Sequence, residues 1–516
     1  MGVSERLDRA VAALPGRYPG PGGALAVLRE GEVLAQHCWG WADAQAQRPF
    51  TPDTMFLVCS ITKQFTCSLL LDQFPDPGVL DADLRRLLPE LEGEAPRTLD
   101  LCHNQSGLRD YWALAMLCGS APEGEFGPDD ARRLIGRTRS LHFAPGTRYS
   151  YSNGNFRLLS DLIEARTGRD FGTLLRERVL DRAAMPRAAV SPDTARVPGG
   201  TVGYEGSVEA GFQPAVNRIH WTGDAGLAAS LDDLVAWERF IDATRDDADG
   251  LYRRLCAPVA FRDGTPAGYG FGLGRPTLLG RPITAHGGGL RGWRSFRCYA
   301  PAERVSVVVL FNHMADPRAA ARDLFAAALG LPVAPPAPAV AATGWDGCFE
   351  EPETGLAARL DAQPDGRLRL RFAPGPEFLT PAGEDAASPE IRLHRGPEGI
   401  RMRRLLDHLD TTLRPCAAAA PEPFEGRFHC AELDADLTCV LAGGVPYAAF
   451  SGDLGQGAMQ PLLPLAADTW LLPCPRALDF AAPGDWTVRL RRDGAGRVAG
   501  LQLGSWLARG LDYLPA

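Results

Sequence analysis

Met55-Phe56-Leu57-Val58-Cys59-Ser60-Ile61-Thr62-Lys63 is the stretch on which the reading of this chain turns. Met55 to Val58 is a short apolar run, and from Gln64 to Phe74 apolar residues recur at helical spacing, so Ser60 stands at the start of a helix. A helix sets residues three apart on neighbouring positions of one face, which brings the hydroxyl of Ser60 to the amine of Lys63. A serine hydroxyl is a poor nucleophile until a base takes its proton. Alone, S-x-x-K recurs by chance in any long chain. Composition raises its weight: of 54 lysines and arginines, Lys63 is the one lysine. Arginine stays protonated, whereas a desolvated lysine amine can lose its proton, so this position reads as one that needs a base.

Outward from this stretch, residues 24–40 read as a hairpin turning at Arg29-Glu30-Gly31-Glu32. Helical patterns run over 129–137, 155–167 with Gly168 as the stop, 231–243 and 317–329, and Arg304 to Asn312 is a buried strand by its β-branched content. Helices gathered beside an antiparallel sheet predict an α+β catalytic domain over residues 1–330. Residues 331–344, rich in Pro and Ala, read as a linker, and 414–423 as a second one. Between and beyond them, short strand-like runs with Asp365-Gly366 and Asp493-Gly494 turns predict two small antiparallel β-barrel domains, 345–413 and 424–516. Both open alike, Trp345-Asp346-Gly347-Cys348-Phe349 and Phe424-Glu425-Gly426-Arg427-Phe428, as duplicated modules would.

The chain has 516 residues, more than one hydrophobic core usually supports. A net charge of -9 without a basic run excludes an electrostatic footprint for nucleic acid or an anionic membrane. No stretch is long and apolar enough to span a bilayer, and Met1 to Gly16 mixes charges into what would be the apolar core of a signal peptide. The twelve cysteines lack C-x-x-C spacing, and several lie in apolar runs, so reduced thiols and a cytoplasmic location are expected. No cofactor and no metal are expected.

Two further motifs carry polar chemistry. Tyr151-Ser152-Asn153 follows the Pro145-Gly146 turn and precedes a helix; the tyrosine can relay a proton beside a cationic amine, and the asparagine can hold a substrate carbonyl or that amine. A core tyrosine followed by a helix-capping asparagine is the plainer reading. His286-Gly287-Gly288-Gly289 lets a substrate backbone lie against the chain, with His286 polarising an intermediate or binding a negative group. A simple turn is the alternative there.

Taken together, Ser60-x-x-Lys63, Tyr151-x-Asn153 and His286-x-Gly288 resemble the motifs of the penicillin-recognising serine hydrolases. His103-x-x-Ser106-Gly107-Leu108, Phe143-x-Pro145-Gly146 and Gly226-Leu227-x-x-Ser230-x-x-Asp233-Leu234 fit the same family, and the resemblance spans nearly all of residues 20–330. It implies Ser60 as nucleophile, Lys63 as general base, Tyr151 as proton relay, His286 in the third motif, Asn153 and Gly288 at the substrate, and the Ser60 N–H as one oxyanion donor. One catalytic domain followed by two β modules resembles the D-aminopeptidase branch. That implies small peptides or amides with an N-terminal D-residue as substrates, susceptibility to β-lactams, a homodimer, and a loop of the last domain entering the cleft. The corresponding stretch is Cys474 to Trp486, where Asp479 would pair with the substrate ammonium, a solvated hairpin acid being the alternative. A cytoplasmic esterase, or a carboxypeptidase or β-lactamase of the same fold, is the rival activity.

Overall fold

The computed structural model describes residues 2–332, 343–416, 422–480 and 482–516. Its first part is built on an eight-stranded antiparallel sheet in the order Arg48–Pro49, Glu32–Asp43, Gly22–Arg29, Val305–Phe311, Trp293–Ala300, Thr284–Leu290, Leu273–Gly274, Tyr269–Gly270. The adjacent strands Gly22–Arg29 and Val305–Phe311 are buried along almost their whole length because successive side chains point to opposite faces and each face carries a core. Leu25 and Val27, with Val307, Val309 and Phe311, face a core shared with helices Val3–Arg17 and Pro317–Leu329. Ala24, Ala26 and Leu28, with Val308 and Leu310, face the opposite core, where the helix Thr62–Gln73 packs. The hairpin expected over 24–40 forms, and Glu30 (φ 55°) and Gly31 (φ 78°) both take the left-handed backbone that a two-residue turn between twisted strands requires.

The helices form close to where periodicity puts them: Asp130–Gly136, Asn153–Thr167, Leu231–Thr244 and Pro317–Leu329, with Gly168 closing the second at φ 66°. The strand expected over 304–312 is Val305–Phe311.

Residues 347–415 make a closed barrel of eight antiparallel strands around its own apolar core. Its last strand, Leu409–Pro415, closes on Gly347–Glu350 through Glu350–Arg414 and Phe349–Pro415 pairs. Arg414 and Pro415, read from sequence as the start of a linker, therefore belong to the barrel. Residues 417–421 of that linker and 333–342 of the 331–344 linker lie outside the described residues.

The second barrel is a correction. Residues 426–515 form an antiparallel sheet that wraps but does not close as one continuous ladder. The stretch that would close it is split, Gln460–Pro461 pairing with Val445–Gly452 and Leu463–Ala466 pairing with Thr469–Leu472. Pro461 and Pro464 have no N–H to donate, so that stretch cannot carry an uninterrupted ladder on both sides. Most apolar side chains of this part, from Phe424 to Tyr513, belong to the same core as the helices of the first part, whereas the closed barrel has a separate core that Trp506 of the last part enters. The last sheet is thereby fixed against the first part, and the connection between Thr469–Leu472 and Trp486–Arg492 points at the cleft.

Candidate active site

Ser60 lies in a single 3-10 turn, Cys59–Ile61, that leads into the helix Thr62–Gln73. Cys59, fully buried, takes φ 52°, a left-handed conformation uncommon for a residue with a side chain, and this sharp turn presents Ser60 to a cavity of about 420 Å³. Lys63 is fully buried in the first helical turn. Its Nζ donates to Ser60 Oγ (3.1 Å), Asn153 Oδ1 (2.8 Å) and the carbonyl of Asp224 (2.7 Å). All three acceptors are uncharged, so no carboxylate touches the ammonium. Desolvation dominates and pulls the Lys63 pKa down to about 8, while the more distant Asp224, Asp110 and Asp479 hold it up.

The phenol of Tyr151 shares a hydrogen bond with Ser60, and burial pushes its pKa well above the ordinary range, so it carries its proton at neutral pH. Lys63 Nζ stands 4.9 Å from the centre of the Tyr151 ring. Asn153, the first residue of its helix, is oriented by Asp110, whose Oδ2 accepts from both the side-chain amide (2.8 Å) and the backbone N–H (2.9 Å) of Asn153. This fixes which end of the amide meets Lys63.

The three glycines after His286 lie on the strand Thr284–Leu290 and line the cavity. Beyond the Gly274–Ala285 pair this strand has no sheet partner on the cleft side among the described residues, so its main chain is free to receive an extended substrate. A side chain at Gly288 would overlap Val58 O and Ser295 Oγ. That close approach is what seats the strand against the turn holding Ser60, and Ser295 Oγ donates to Val58 O (2.9 Å) at the same point.

His286 stands back from the cavity wall, with both ring nitrogens in hydrogen bonds. Its Nδ1–H donates to the carbonyl of Gly287 (2.6 Å), and Nε2 accepts from the hydroxyl of Tyr269 (3.1 Å). Burial, reinforced by Lys63, lowers its pKa to about 3. As a neutral imidazole with both nitrogens engaged, His286 offers no free donor in this arrangement, and it is absent from the cavity lining. It packs beside Tyr151, ring centres 6.2 Å apart, and positions that side of the site.

The connection 473–485 reaches the cavity, where Asp479, Phe480 and Pro483 form part of the wall. Burial, then the charge of Asp110, raises the Asp479 pKa to about 7, and its Oδ1 is buried without a hydrogen-bond partner among the described residues. Arg291, 3% exposed, holds the loop by its main chain: Nη1 donates to Ala477 O (2.6 Å) and its N–H to Asp479 O (3.2 Å). Arg476 clamps the near end onto Glu123 (2.7 Å) and Glu205 (3.1 Å). The ring of Phe480 lies over Gly289 and is stacked by the guanidinium of Arg294 at 3.9 Å.

Sequence reasoning missed Asp110, Arg291 and Phe480. Asp110 carried one signal, an acid ahead of the helix Tyr111–Leu117, which it caps by accepting from Trp112 N. Its second task at Asn153 is a tertiary contact with no local trace.

Comparison with known proteins decides the family. The β-lactamase family model matches residues 7–331, and the model for domain B of D-aminopeptidase matches 338–514. A D-aminopeptidase of Gluconobacter oxydans (strain 621H) is 52% identical over 519 residues, covering 99% of this chain and 98% of its own. The chain belongs to the D-aminopeptidases of the β-lactamase family. A D-aminopeptidase of Brucella canis is 49% identical over 508 residues, covering 98% of each chain. Among solved structures, the octameric penicillin-binding protein homologue from Pyrococcus abyssi aligns over 100% of both chains with a TM-score of 0.54 at 18% identity. The D-amino acid amidase from Ochrobactrum anthropi SV3 aligns over 64% of this chain and 98% of its own, with a TM-score of 0.51 at 19% identity. At such identities these two show the fold alone.

Proposed function

We propose that the protein is a serine aminopeptidase that removes small N-terminal D-residues from peptides and amides through an acyl-enzyme. The observation that carries this reading is one cavity lined by both Ser60, in contact with a buried free-amine-prone lysine, and Asp479, a carboxyl group with an unpartnered oxygen. The substrate ammonium pairs with Asp479, and the scissile carbonyl then lies over Ser60. Unprotonated Lys63 accepts the Ser60 proton as Oγ attacks, the carbonyl electrons move onto oxygen, and the oxyanion accepts from the Ser60 N–H. Collapse expels the leaving amine, which takes a proton relayed through Tyr151. Water then attacks the ester with the same groups in the reverse sense.

The D-preference follows the name carried by the relatives that match along the whole chain. Acylation of Ser60 by β-lactams, a homodimer, a cytoplasmic location and the division into 1–330, 345–413 and 424–516 belong to the same proposal. All twelve cysteines are unpaired, which supports a reducing compartment, and among the described residues no helix is long and apolar enough to cross a membrane.

Assaying D-alanine p-nitroanilide, its L-enantiomer and p-nitrophenyl acetate side by side tests this reading. The D-anilide should be turned over well ahead of the L-form. Rapid turnover of the acetate with neither anilide accepted would instead make the protein an esterase.

A further inference from the structure

Away from the cleft, a cavity of about 700 Å³ opens where the three parts of the chain meet, and its lining includes Arg109, His142, Arg148, Glu353, His408 and Arg509. Arg509 is 2% exposed. Its Nε donates to the carbonyl of Trp506 (3.0 Å), and its guanidinium stacks on the Trp506 ring at 3.8 Å, with the Phe143 ring at 5.8 Å. Both terminal nitrogens, Nη1 and Nη2, are buried without a hydrogen-bond partner among the described residues.

The acids of the neighbourhood are committed elsewhere. Glu353 pairs with Arg148, Asp407 with Arg404, and Glu432 with Arg109. Glu351 accepts from Thr354 and Thr411. Among the described residues Arg509 is thus a buried cation without a counterion in contact, an arrangement that is costly unless a ligand supplies the charge. His142 repeats the pattern, with Nδ1 and Nε2 both buried and unpartnered among the described residues.

We propose that this cavity binds a small oxyanion, a carboxylate or a phosphate, on the buried, unpartnered fork of Arg509 with His142 as a second donor. Two parallel N–H groups in one plane match two oxygens of such a group, which favours an oxyanion over a halide. Burial lowers the Arg509 pKa to about 9, so the guanidinium still holds its charge at neutral pH. Burial and the surrounding arginines keep His142 well below the ordinary histidine range, so it is neutral and has one N–H to give. The site is separate from the cleft but adjoins it through one hairpin: Leu507, in the turn between Val498–Ser505 and Ala508–Pro515, lines the catalytic cavity, and Arg509 two residues later lines this one.

Isothermal titration of the full chain with inorganic phosphate, and separately with succinate, at fixed ionic strength tests the proposal. Wild type should show one saturable site for at least one probe, and which probe binds separates a phosphate ligand from a carboxylate. Arg509→Gln should weaken that binding by at least ~10-fold, the loss of charge-assisted hydrogen bonds. Binding of neither probe to wild type, or undiminished binding to R509Q, overturns the proposal. Should R509Q not fold, a wild-type crystal soaked in selenate decides: an anomalous selenium peak against the Arg509 guanidinium supports the site, and its absence there contradicts it.

Discussion

Lys63 Nζ lies 3.1 Å from Ser60 Oγ, and its two other hydrogen bonds also end on uncharged oxygens. An ammonium held this way loses its water without gaining a counterion, which is why its pKa falls to about 8. On the proposed mechanism the working form is the free amine, so activity should be present above about pH 8 and be lost as pH falls through that value.

The pH profile should therefore depend on the substrate. A neutral ester needs only the Lys63 amine, so kcat/KM should rise through about 8 and then level. On the same proposal an amine substrate also needs the Asp479 carboxylate, present above about 7, and its own ammonium, lost above about 8. Its profile should be bell-shaped. Superimposable profiles for the two substrates would remove Asp479 from amine recognition.

Asp110→Asn should move the acid limb to lower pH. The Asp110 carboxylate helps to hold the Lys63 pKa up, so removing its charge lets burial lower that pKa further. Asparagine can keep the cap on Trp112 N, but its NH2 replaces the oxygen that accepts from Asn153, so turnover should fall as well and the shift is read from the position of the limb, not its height. A limb that stays in place would show that the charge of Asp110 does not reach Lys63.

Asp479→Asn should weaken free-amine substrates by roughly 10- to 150-fold, the loss of one charge-assisted contact of ~1.5 to 3 kcal/mol, with little effect on a neutral ester. Deleting residues 476–484 should go further and admit bulkier or N-acylated substrates, since Phe480 and Pro483 leave the wall with the loop. Steady-state kinetics on both substrate types reads the two changes. Unchanged amine kinetics in both variants would make the loop structural.

How far this site was legible follows from the range of each contact. Ser60 and Lys63 could be read because three-residue spacing on a helix is local, and the single lysine marks the place. Asp479 could be placed only through the resemblance, because the hairpin that carries it reaches the cleft by packing across the chain. Arg291 was not legible for the same reason, since it meets Ala477 from 186 residues away. The contacts of both His286 nitrogens, with Gly287 and Tyr269, leave no trace in the sequence around His286. The alternating strands of the last part were legible, but closure of its barrel was not, since it depends on where Pro461 and Pro464 fall along one connecting stretch.

Adjacent glycines should behave differently on substitution. Gly288→Ala forces overlap with the Val58 carbonyl, which cannot step aside, and should destabilise the fold by ~1 to 3 kcal/mol as well as reduce turnover. Gly289→Ala would place its Cβ 2.8 Å from the Phe480 ring, so Phe480→Ala should restore activity to it and not to G288A. Thermal melts and kcat/KM for the two single and two double variants check this. Equal rescue of both would contradict the packing described.

The covalent step is open to direct observation. Wild-type protein quenched in acid during turnover of a slowly deacylated D-alanyl ester, digested and mapped by mass spectrometry, should carry the D-alanyl group on the peptide containing Ser60. Lys63→Arg should lower acylation at least ~10²-fold by removing the base. A wild-type chain that turns the ester over while the Ser60 peptide stays unmodified and another residue is labelled would contradict the account at its centre.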